Sequence, residues 1–328
     1  MKNIAVTGAT GHLGNLIVRE LLARGYVVKA LARGNDLRAV EGLPIEIIKG
    51  DLADQSALQK LMEGCDGLIH SAALISLAGS KGGLVHKVNV EGTKLVMEIA
   101  KASGIKRVIH ISSIHAFNQS PTQERLDETR ALVDDRCFAY DRSKRDSQQI
   151  ALSYASDQME VLAMCPTSIM GPFDFKPSKL GNAIIQMCSG KLPFVFKGGF
   201  DFCDGRDVAN AVVNGLQMGR SGHAYILGGS WADLKDLYSM VTEAGGKKRN
   251  PFVINPYLAY TGIPFILLAS RITGKEPLYT HEAIVAVTEG NRFITIDKSR
   301  TELKYNPRPL KETVIDTCTW FSKNGYLG

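Results

Sequence analysis

The sequence predicts an α/β fold with a doubly wound parallel sheet and a smaller, mainly C-terminal substrate domain. The chain opens on an apolar strand, a glycine-rich turn and a helical segment. Apolar strands then alternate with helical segments up to about residue 166, and strands in that order form a parallel sheet covered by helices on both faces. The 328 residues, 45% of them hydrophobic and 22% charged, are enough for a sizeable core.

The first turn of the chain predicts a nucleotide-binding site. Residues 2–7 form an apolar run, and residues 15–24 place apolar side chains at helical spacing. The glycines between them follow the spacing G-x-x-G-x-x-G, at Gly8, Gly11 and Gly14. The start of a helix offers free N–H groups and the positive end of its dipole, and glycine lets a pyrophosphate approach the backbone.

The later segments divide the chain into two predicted domains. Further strands are expected at residues 26–32, 45–49, 67–71, 107–111, 160–165 and 224–227, and helices at 88–101, 140–155 and 206–218. Beyond Pro166, prolines and glycines interrupt the alternation. We therefore predict a dinucleotide-binding domain in residues 1–166 and 206–227, and a substrate-binding domain in residues 167–205 and 228–328.

Composition argues against several classes of partner. The net charge of +6, from 39 basic and 33 acidic residues, is too mild and too scattered to indicate nucleic-acid binding. The six cysteines form no C-x-x-C pair and no metal-ligand cluster, so we expect reduced thiols and no metal site. The apolar residues 257–272 are too few and too interrupted to span a membrane. We expect a buried or substrate-facing helix there, and contact with a membrane surface is the alternative. The absence of a leader pattern predicts a cytoplasmic protein.

A tyrosine and a lysine four residues apart suggest acid–base chemistry. Tyr140 and Lys144 would share one face of a helix, where the cation is expected to lower the pKa of the phenol and make it a usable proton donor or acceptor. Ser112 and Ser113 end the predicted strand at residues 107–111 and would face the same crevice. By itself, this spacing is also compatible with an exposed surface pair.

In order along the chain, these features resemble the extended short-chain dehydrogenases/reductases, the NAD(P)-dependent epimerase/dehydratase superfamily. The resemblance is carried by residues 7–14, 50–52, 70–73, 88–93, 111–113, 140–144, 165–172 and 206–209. It is closest in pattern to dihydroflavonol reductases and 3β-hydroxysteroid dehydrogenase-like members. It implies a Rossmann domain, a nicotinamide dinucleotide as cofactor, a small-molecule substrate and a homodimer.

The resemblance also implies roles for individual residues. Ser113, Tyr140 and Lys144 would be the catalytic triad. The expected cofactor-binding residues are Gly8, Thr10, Gly11, His12, Leu13, Gly14, Arg33, Asp51, Leu52, Ala72, Ala73, Asn89, Tyr140, Lys144 and Pro166. Asp51 and Leu52 would hold the adenine ring, because a carboxylate can accept a hydrogen bond from its amino group.

Arg33 indicates which dinucleotide is bound. A carboxylate at the end of the second strand would bind the 2′-hydroxyl of NAD, whereas an arginine accommodates the 2′-phosphate of NADP. Residues 30–33 read Ala-Leu-Ala-Arg, and Asp36 follows three residues too late. We therefore expect NADP rather than NAD.

The predicted function is an NADP(H)-dependent oxidoreductase that interconverts a carbonyl and a secondary alcohol. Ser113 is followed by Ile114 and His115, whereas the sugar-nucleotide dehydratases of this superfamily tend to have Thr-Asp-Glu. Residues 198–204 lack the arginine that often binds the diphosphate of a nucleotide sugar. Six phenylalanines between residues 173 and 202 suggest an apolar or aromatic substrate. An NAD-dependent nucleotide-sugar epimerase and a non-catalytic dinucleotide sensor remain alternatives.

Overall fold

A computed structural model describes residues 1–256 and 280–327. The strands are β1 Asn3–Thr7, β2 Val27–Ala32, β3 Glu46–Lys49, β4 Gly67–His70, β5 Arg107–Ile111, β6 Glu160–Pro166, β7 Ser168–Met170, β8 Phe194–Phe196, β9 Gly199–Asp204, β10 His223–Leu227, β11 Ser230–Asp233 and β12 Phe252–Ile254. The helices are α1 His12–Ala23, α2 Gln55–Met62, α3 Leu84–His86, α4 Gly92–Ala102, α5 Ala139–Ser153, α6 Lys179–Ser189, α7 Gly205–Asn214, α8 Leu234–Ala244, α9 His281–Thr288, α10 Asp297–Leu303 and α11 Leu310–Lys323.

Seven strands form the central sheet, in the order β10-β6-β5-β4-β1-β2-β3. Every neighbouring pair is parallel. The predicted doubly wound parallel sheet is therefore confirmed. From β1 the chain adds β2 and β3 on one side, and then crosses to β4 and continues outward on the other side. The order reverses between β1 and β4, and ligands of such sheets bind beyond the carboxyl ends of the strands at this point.

Helices cover both faces of the sheet. On one face α1 packs against α7, and Leu16, Ile17 and Val212 are buried between these helices and the strands. On the other face α2, α4 and α5 bury residues such as Leu58 and Met97. The central strands are accordingly covered on both sides; β5, for example, is buried along its whole length. These two layers hold the strand ends, and the loops that follow them, in fixed positions.

The remaining strands lie outside the central sheet. A three-stranded sheet has the order β11-β9-β7, and β8 pairs with β12. A third hydrophobic core, containing Leu237, Phe202 and Phe321, lies among these strands and helices α6, α8 and α11. Whether this part folds as a domain of its own stays a prediction. The sequence did not predict β11 and β12, since residues beyond 228 read as irregular and helical.

The element boundaries differ from prediction mainly at helix ends. The helix predicted at residues 88–101 begins earlier, as α3, and passes through a π-helical turn at Lys87–Glu91 into α4. The helix predicted at residues 206–218 ends as α7 at Asn214. The apolar residues 257–272 lie outside the described residues. Within the described ranges, no helix is long and apolar enough to cross a membrane.

Candidate active site

The glycine-rich turn forms a narrow backbone cradle at the switch point of the sheet. Gly8 follows β1 with φ +75°, and a Cβ atom there would lie 2.6 Å from the backbone nitrogen of Ala72, which follows β4. A Cβ atom at Gly14 would lie 2.0 Å from the carbonyl oxygen of Gly8. Gly11 precedes α1, and no side chain of the described residues caps this helix start. The open N–H groups and the missing side chains fit the pyrophosphate of a dinucleotide.

The other residues predicted in this turn surround the cradle. Leu13 is buried in the core, while Thr10 and His12 are half-buried. The His12 ring nitrogen Nε2 lies 3.0 Å from the carbonyl oxygen of Pro172. His12 thereby joins the turn to the chain segment that follows β7.

Asp51 and Leu52 lie at the end of β3, on the side of the crevice expected for adenine. Asp51 is exposed, and its Oδ1 accepts a hydrogen bond from the backbone N–H of Ala53 at 2.8 Å. Its second carboxylate oxygen therefore remains available to a ligand. Leu52 is half-buried, and a Cβ atom at Gly92 would come within 3.2 Å of its side chain.

Asn89 supports the loop that follows β4. The Asn89 side chain is 2% exposed; it accepts a hydrogen bond from the N–H of Leu74 at 2.7 Å and donates to the carbonyl oxygen of Leu74 at 3.0 Å. It also donates to Ser143 Oγ at 3.0 Å, which connects the loop to α5. Ala73 is the exposed residue just before Leu74. Asn89 thus acts on the crevice by positioning Ala73 and its neighbours.

The structure brings Ser113, Tyr140 and Lys144 together beyond the carboxyl end of β5. All three are at most 8% exposed. Tyr140 and Lys144 lie one turn apart on α5, and Lys144 Nζ donates a hydrogen bond to the carbonyl oxygen of Ile111 at 2.8 Å. The Ser113 hydroxyl accepts from the backbone N–H of His115 at 3.2 Å. Pro166, the predicted nicotinamide neighbour, ends the adjacent strand β6.

The protonation of the triad differs from what the spacing predicted. Burial raises the pKa of Tyr140, and the neighbouring Asp141 carboxylate adds to this increase, whereas a hydrogen bond with Ser113 acts in the opposite direction. Lys144 is not among the groups that shift this pKa, and burial of the phenol has the largest effect, so the lowering that the spacing predicted is wrong. Burial also lowers the pKa of Lys144 to about 8. Tyr140 is thus held as a protonated phenol, the form that donates a proton.

Tyr140 opens onto a cavity of about 320 Å³. Among the residues that line it are Ser76, Ile114, His115, Phe117, Phe138, Asp141, Phe200, Asp201, Trp231, Glu282, Glu289 and Ile294. Helix α9 closes one side, since the N–H of Gly79 donates a hydrogen bond to Glu282 Oε1 at 3.0 Å and Thr280 donates to the carbonyl oxygen of Leu77. The volume suits a small organic molecule.

Asp141, which directly follows Tyr140, and Glu282 are two of the acidic residues that line this cavity. Asp141 Oδ1 lies 2.9 Å from Nδ1 of His115, and the His115 ring meets the Tyr140 ring edge-on, with 5.6 Å between centroids. Burial raises the pKa of Glu282, and the Asp141 charge contributes to this increase. Carboxyl groups therefore form part of the polar lining of the cavity.

Only one of the six phenylalanines that suggested an aromatic substrate face, Phe200, lines the cavity. Phe173 and Phe175 instead pack with Trp320, and the guanidinium of Arg19 lies 4.7 Å from the centre of the Phe173 ring. Phe173 lies against α1, because the Asn15 side chain donates a hydrogen bond to its carbonyl oxygen at 3.1 Å. Phe117, Phe138 and Trp231 are further aromatic residues of the cavity lining. No sequence motif indicated that they would line it.

Arg33 lies directly beyond β2 and is exposed. Among residues 1–256 and 280–327, its guanidinium has no hydrogen-bond or ion-pair partner. The nearby carboxylate of Asp36 is occupied, since Arg38 donates to both of its oxygens at 3.0 Å and Lys176 Nζ lies 3.5 Å away. These contacts, chiefly the Arg38 hydrogen bond, hold the pKa of Asp36 below its usual range. The end of β2 therefore presents a free cation.

Comparison with known proteins agrees with this architecture. The model of the NAD-dependent epimerase/dehydratase family matches residues 4–228. Sterol demethylase protein B of Methylococcus capsulatus is 31% identical over 326 residues, covering 98% of this chain and 99% of that protein. A 4-hydroxy-2-methyl-3-oxo-4-farnesyl-3,4-dihydroquinoline-1-oxide ketoreductase of Stigmatella aurantiaca is 26% identical over 331 residues. The alignment covers 95% of this chain and 94% of that protein.

Solved structures show the same fold over the whole chain. The crystal structure of gox2253 matches with a TM-score of 0.86 and 30% identity, covering 100% of this chain and 99% of that one. The matched family model includes the glycine-rich turn and the residues from Ser113 to Lys144. The chain therefore belongs to the NAD-dependent epimerase/dehydratase family and is an NAD(P)-dependent oxidoreductase of the extended short-chain dehydrogenase/reductase type.

Proposed function

We propose that this protein is an NADP(H)-dependent reductase that converts a ketone on a small, uncharged and largely apolar molecule to a secondary alcohol. The observation that carries the proposal is the buried Tyr140 phenol, which faces a cavity with Ser113 and Lys144 beside it. Reduction requires a proton donor at the carbonyl oxygen, and burial keeps this phenol protonated.

The side chains have distinct roles in the proposed reaction. The dinucleotide, when bound, supplies the hydride that reaches the carbonyl carbon. Tyr140 donates its phenolic proton to the carbonyl oxygen, and the Ser113 hydroxyl donates a hydrogen bond to the same oxygen. The Lys144 ammonium, positioned by Ile111, stabilises the negative charge that the phenol acquires and binds ribose hydroxyls. Solvent protons then restore the phenol.

The charges in the cavity support an uncharged substrate. Asp141, Asp201 and Glu282 contribute carboxyl groups to its lining. Within the described part of the chain, the one guanidinium in that lining belongs to Arg136, and Asp134 binds it at 2.6 Å. The diphosphate of a nucleotide sugar would therefore meet repulsion, which argues against the epimerase alternative. Two relatives are named for a sterol and for a farnesyl-bearing ketone, and both kinds of molecule have a large apolar part.

The nucleotide that copurifies with the protein, together with assays of ketone reduction, tests this proposal. We expect the purified protein to carry little bound NAD and to oxidise added NADPH when an aryl or alicyclic ketone is present. Tightly retained NAD, with no oxidation of NADPH by any ketone, would instead support the epimerase. Binding of NADPH without turnover of any ketone would favour the dinucleotide sensor.

We also propose that the protein is a homodimer that pairs through α4 and α5. These two helices lie side by side on one face of the sheet, and Leu84, in the preceding α3, is 46% exposed. Family members often pair two helices from each subunit in this way. Light scattering at micromolar concentration should give about twice the chain mass of 35.7 kDa. A particle of a single chain mass under those conditions would exclude the dimer.

A further inference from the structure

His115 lies in the cavity lining next to Tyr140, although the proton transfer by Tyr140 does not require an imidazole. His115 lies two residues after Ser113, in a short 3₁₀ turn at Ile114–Ala116. Its Nδ1 faces Asp141 at 2.9 Å, and its ring contacts Tyr140 edge-on. The side chain is 32% exposed and lines the cavity. The imidazole is thus held by Asp141 and Tyr140 while the side chain forms part of the cavity lining.

The carboxylate of Asp141 determines which ring nitrogen carries the proton. In the neutral imidazole, Nδ1–H donates to Asp141 Oδ1, so Nε2 holds a lone pair. Among residues 1–256 and 280–327, no side chain or backbone group donates to this Nε2. A hydrogen-bond acceptor in a fixed orientation therefore lies beside the proton donor of the reaction, and it is complementary to a hydroxyl group.

We propose that His115, oriented by Asp141, determines substrate specificity by accepting a hydrogen bond from a hydroxyl group next to the reacting carbonyl. The preferred substrates would then be neutral α-hydroxyketones. This inference rests on the proposed ketone reduction, because it uses the Tyr140 phenol to place the carbonyl oxygen. The carboxyl groups of Asp201 and Glu282 in the same lining also favour a ligand that donates hydrogen bonds over one that carries negative charge.

A pair of ketones that differ in one group tests the inference. In 2-hydroxyacetophenone and propiophenone the reacting carbonyl and the phenyl ring are the same, and a hydroxyl in the first replaces a methyl in the second. For each ketone, kcat/KM is measured with NADPH, and binding to the protein saturated with NADP⁺ is measured by tryptophan fluorescence. We expect the wild type to prefer the hydroxyketone about tenfold in both measurements, as one satisfied hydrogen bond would give.

The variants separate recognition from a structural role. His115→Phe keeps a planar ring that can pack on Tyr140 but cannot accept a hydrogen bond, so the preference should fall to about one. His115→Gln has an amide oxygen that can accept, and it should retain part of the preference. His86→Phe is the matched control, because His86 also faces a carboxylate, Glu91 at 3.4 Å, but lies outside the cavity lining. Its preference should equal that of the wild type.

Two results would overturn the inference. One is equal binding of the two ketones by the wild type, and the other is a preference that stays at the wild-type value in His115→Phe. A merely structural His115 would lower kcat/KM for both ketones by the same factor and leave their ratio unchanged. Failure of the proposed function is a separate outcome: the wild type would then oxidise no NADPH with either ketone, while the binding ratio would still test His115.

Discussion

Replacing Tyr140 with phenylalanine is expected to lower the turnover of an accepted ketone by about 10²-fold or more, the usual contribution of a positioned proton donor. Tyr140 is buried at the end of the cavity, and burial keeps its phenol protonated. Phenylalanine preserves the ring that packs against His115 but leaves the carbonyl oxygen without a proton donor. Affinity for NADPH should stay nearly unchanged, because Lys144 and the glycine-rich turn, which we propose to bind the dinucleotide, are retained.

A second tyrosine on the same helix provides the control. Tyr154 directly follows the last residue of α5 and is not part of the cavity lining, so Tyr154→Phe makes the same chemical change outside the site. Steady-state oxidation of NADPH gives kcat, and fluorescence titration gives the cofactor affinity. Turnover at the wild-type rate in Tyr140→Phe would show that another group donates the proton. Equal losses in both variants would point to damage to α5 rather than to chemistry.

The sequence was most informative where local spacing determines geometry. The strand, turn and helix around Gly8 were predictable because a positive φ and a close approach to Ala72 exclude a side chain. Tyr140 and Lys144 could be placed together because residues four apart share a helix face. Ser112 and Ser113 could be added because parallel strands end at one edge of the sheet, where both residues follow β5. The choice of Ser113 between them came from the family resemblance.

Contacts between distant parts of the chain could not be predicted. Glu282 reaches Gly79 across about 200 residues of sequence, and Asn291 donates hydrogen bonds to carbonyl groups of the segment from Gln119 to Glu124. No periodicity or motif marks such pairs, although they close the cavity. The pKa of Tyr140 was also mispredicted, because spacing shows the neighbouring cation but not the extent of burial. Asp141 could have been noticed, since it follows Tyr140 directly.

Replacing Arg33 with aspartate is expected to change the cofactor preference from NADPH toward NADH. The guanidinium of Arg33 has no partner among the described residues, so it can form charge-assisted hydrogen bonds to a 2′-phosphate. Such a bond contributes roughly 1.5–3 kcal/mol, which corresponds to about a 10- to 150-fold preference of the wild type for NADPH. An aspartate at this position would repel the phosphate and could accept a hydrogen bond from the 2′-hydroxyl of NADH.

Fluorescence titrations of both cofactors against wild type and variant measure this switch. Arg300→Asp is the matched control, because it makes the same charge change at an exposed residue of α10. This helix packs against β10, at the opposite edge of the sheet. It should leave both affinities unchanged. Added salt should weaken the binding of NADPH to the wild type more than that of NADH, since only NADPH gains from the additional charge pair. Equal affinities of the wild type for NADPH and NADH would contradict this prediction. The guanidinium of Arg33 would then remain in solvent and play no part in selecting the nucleotide.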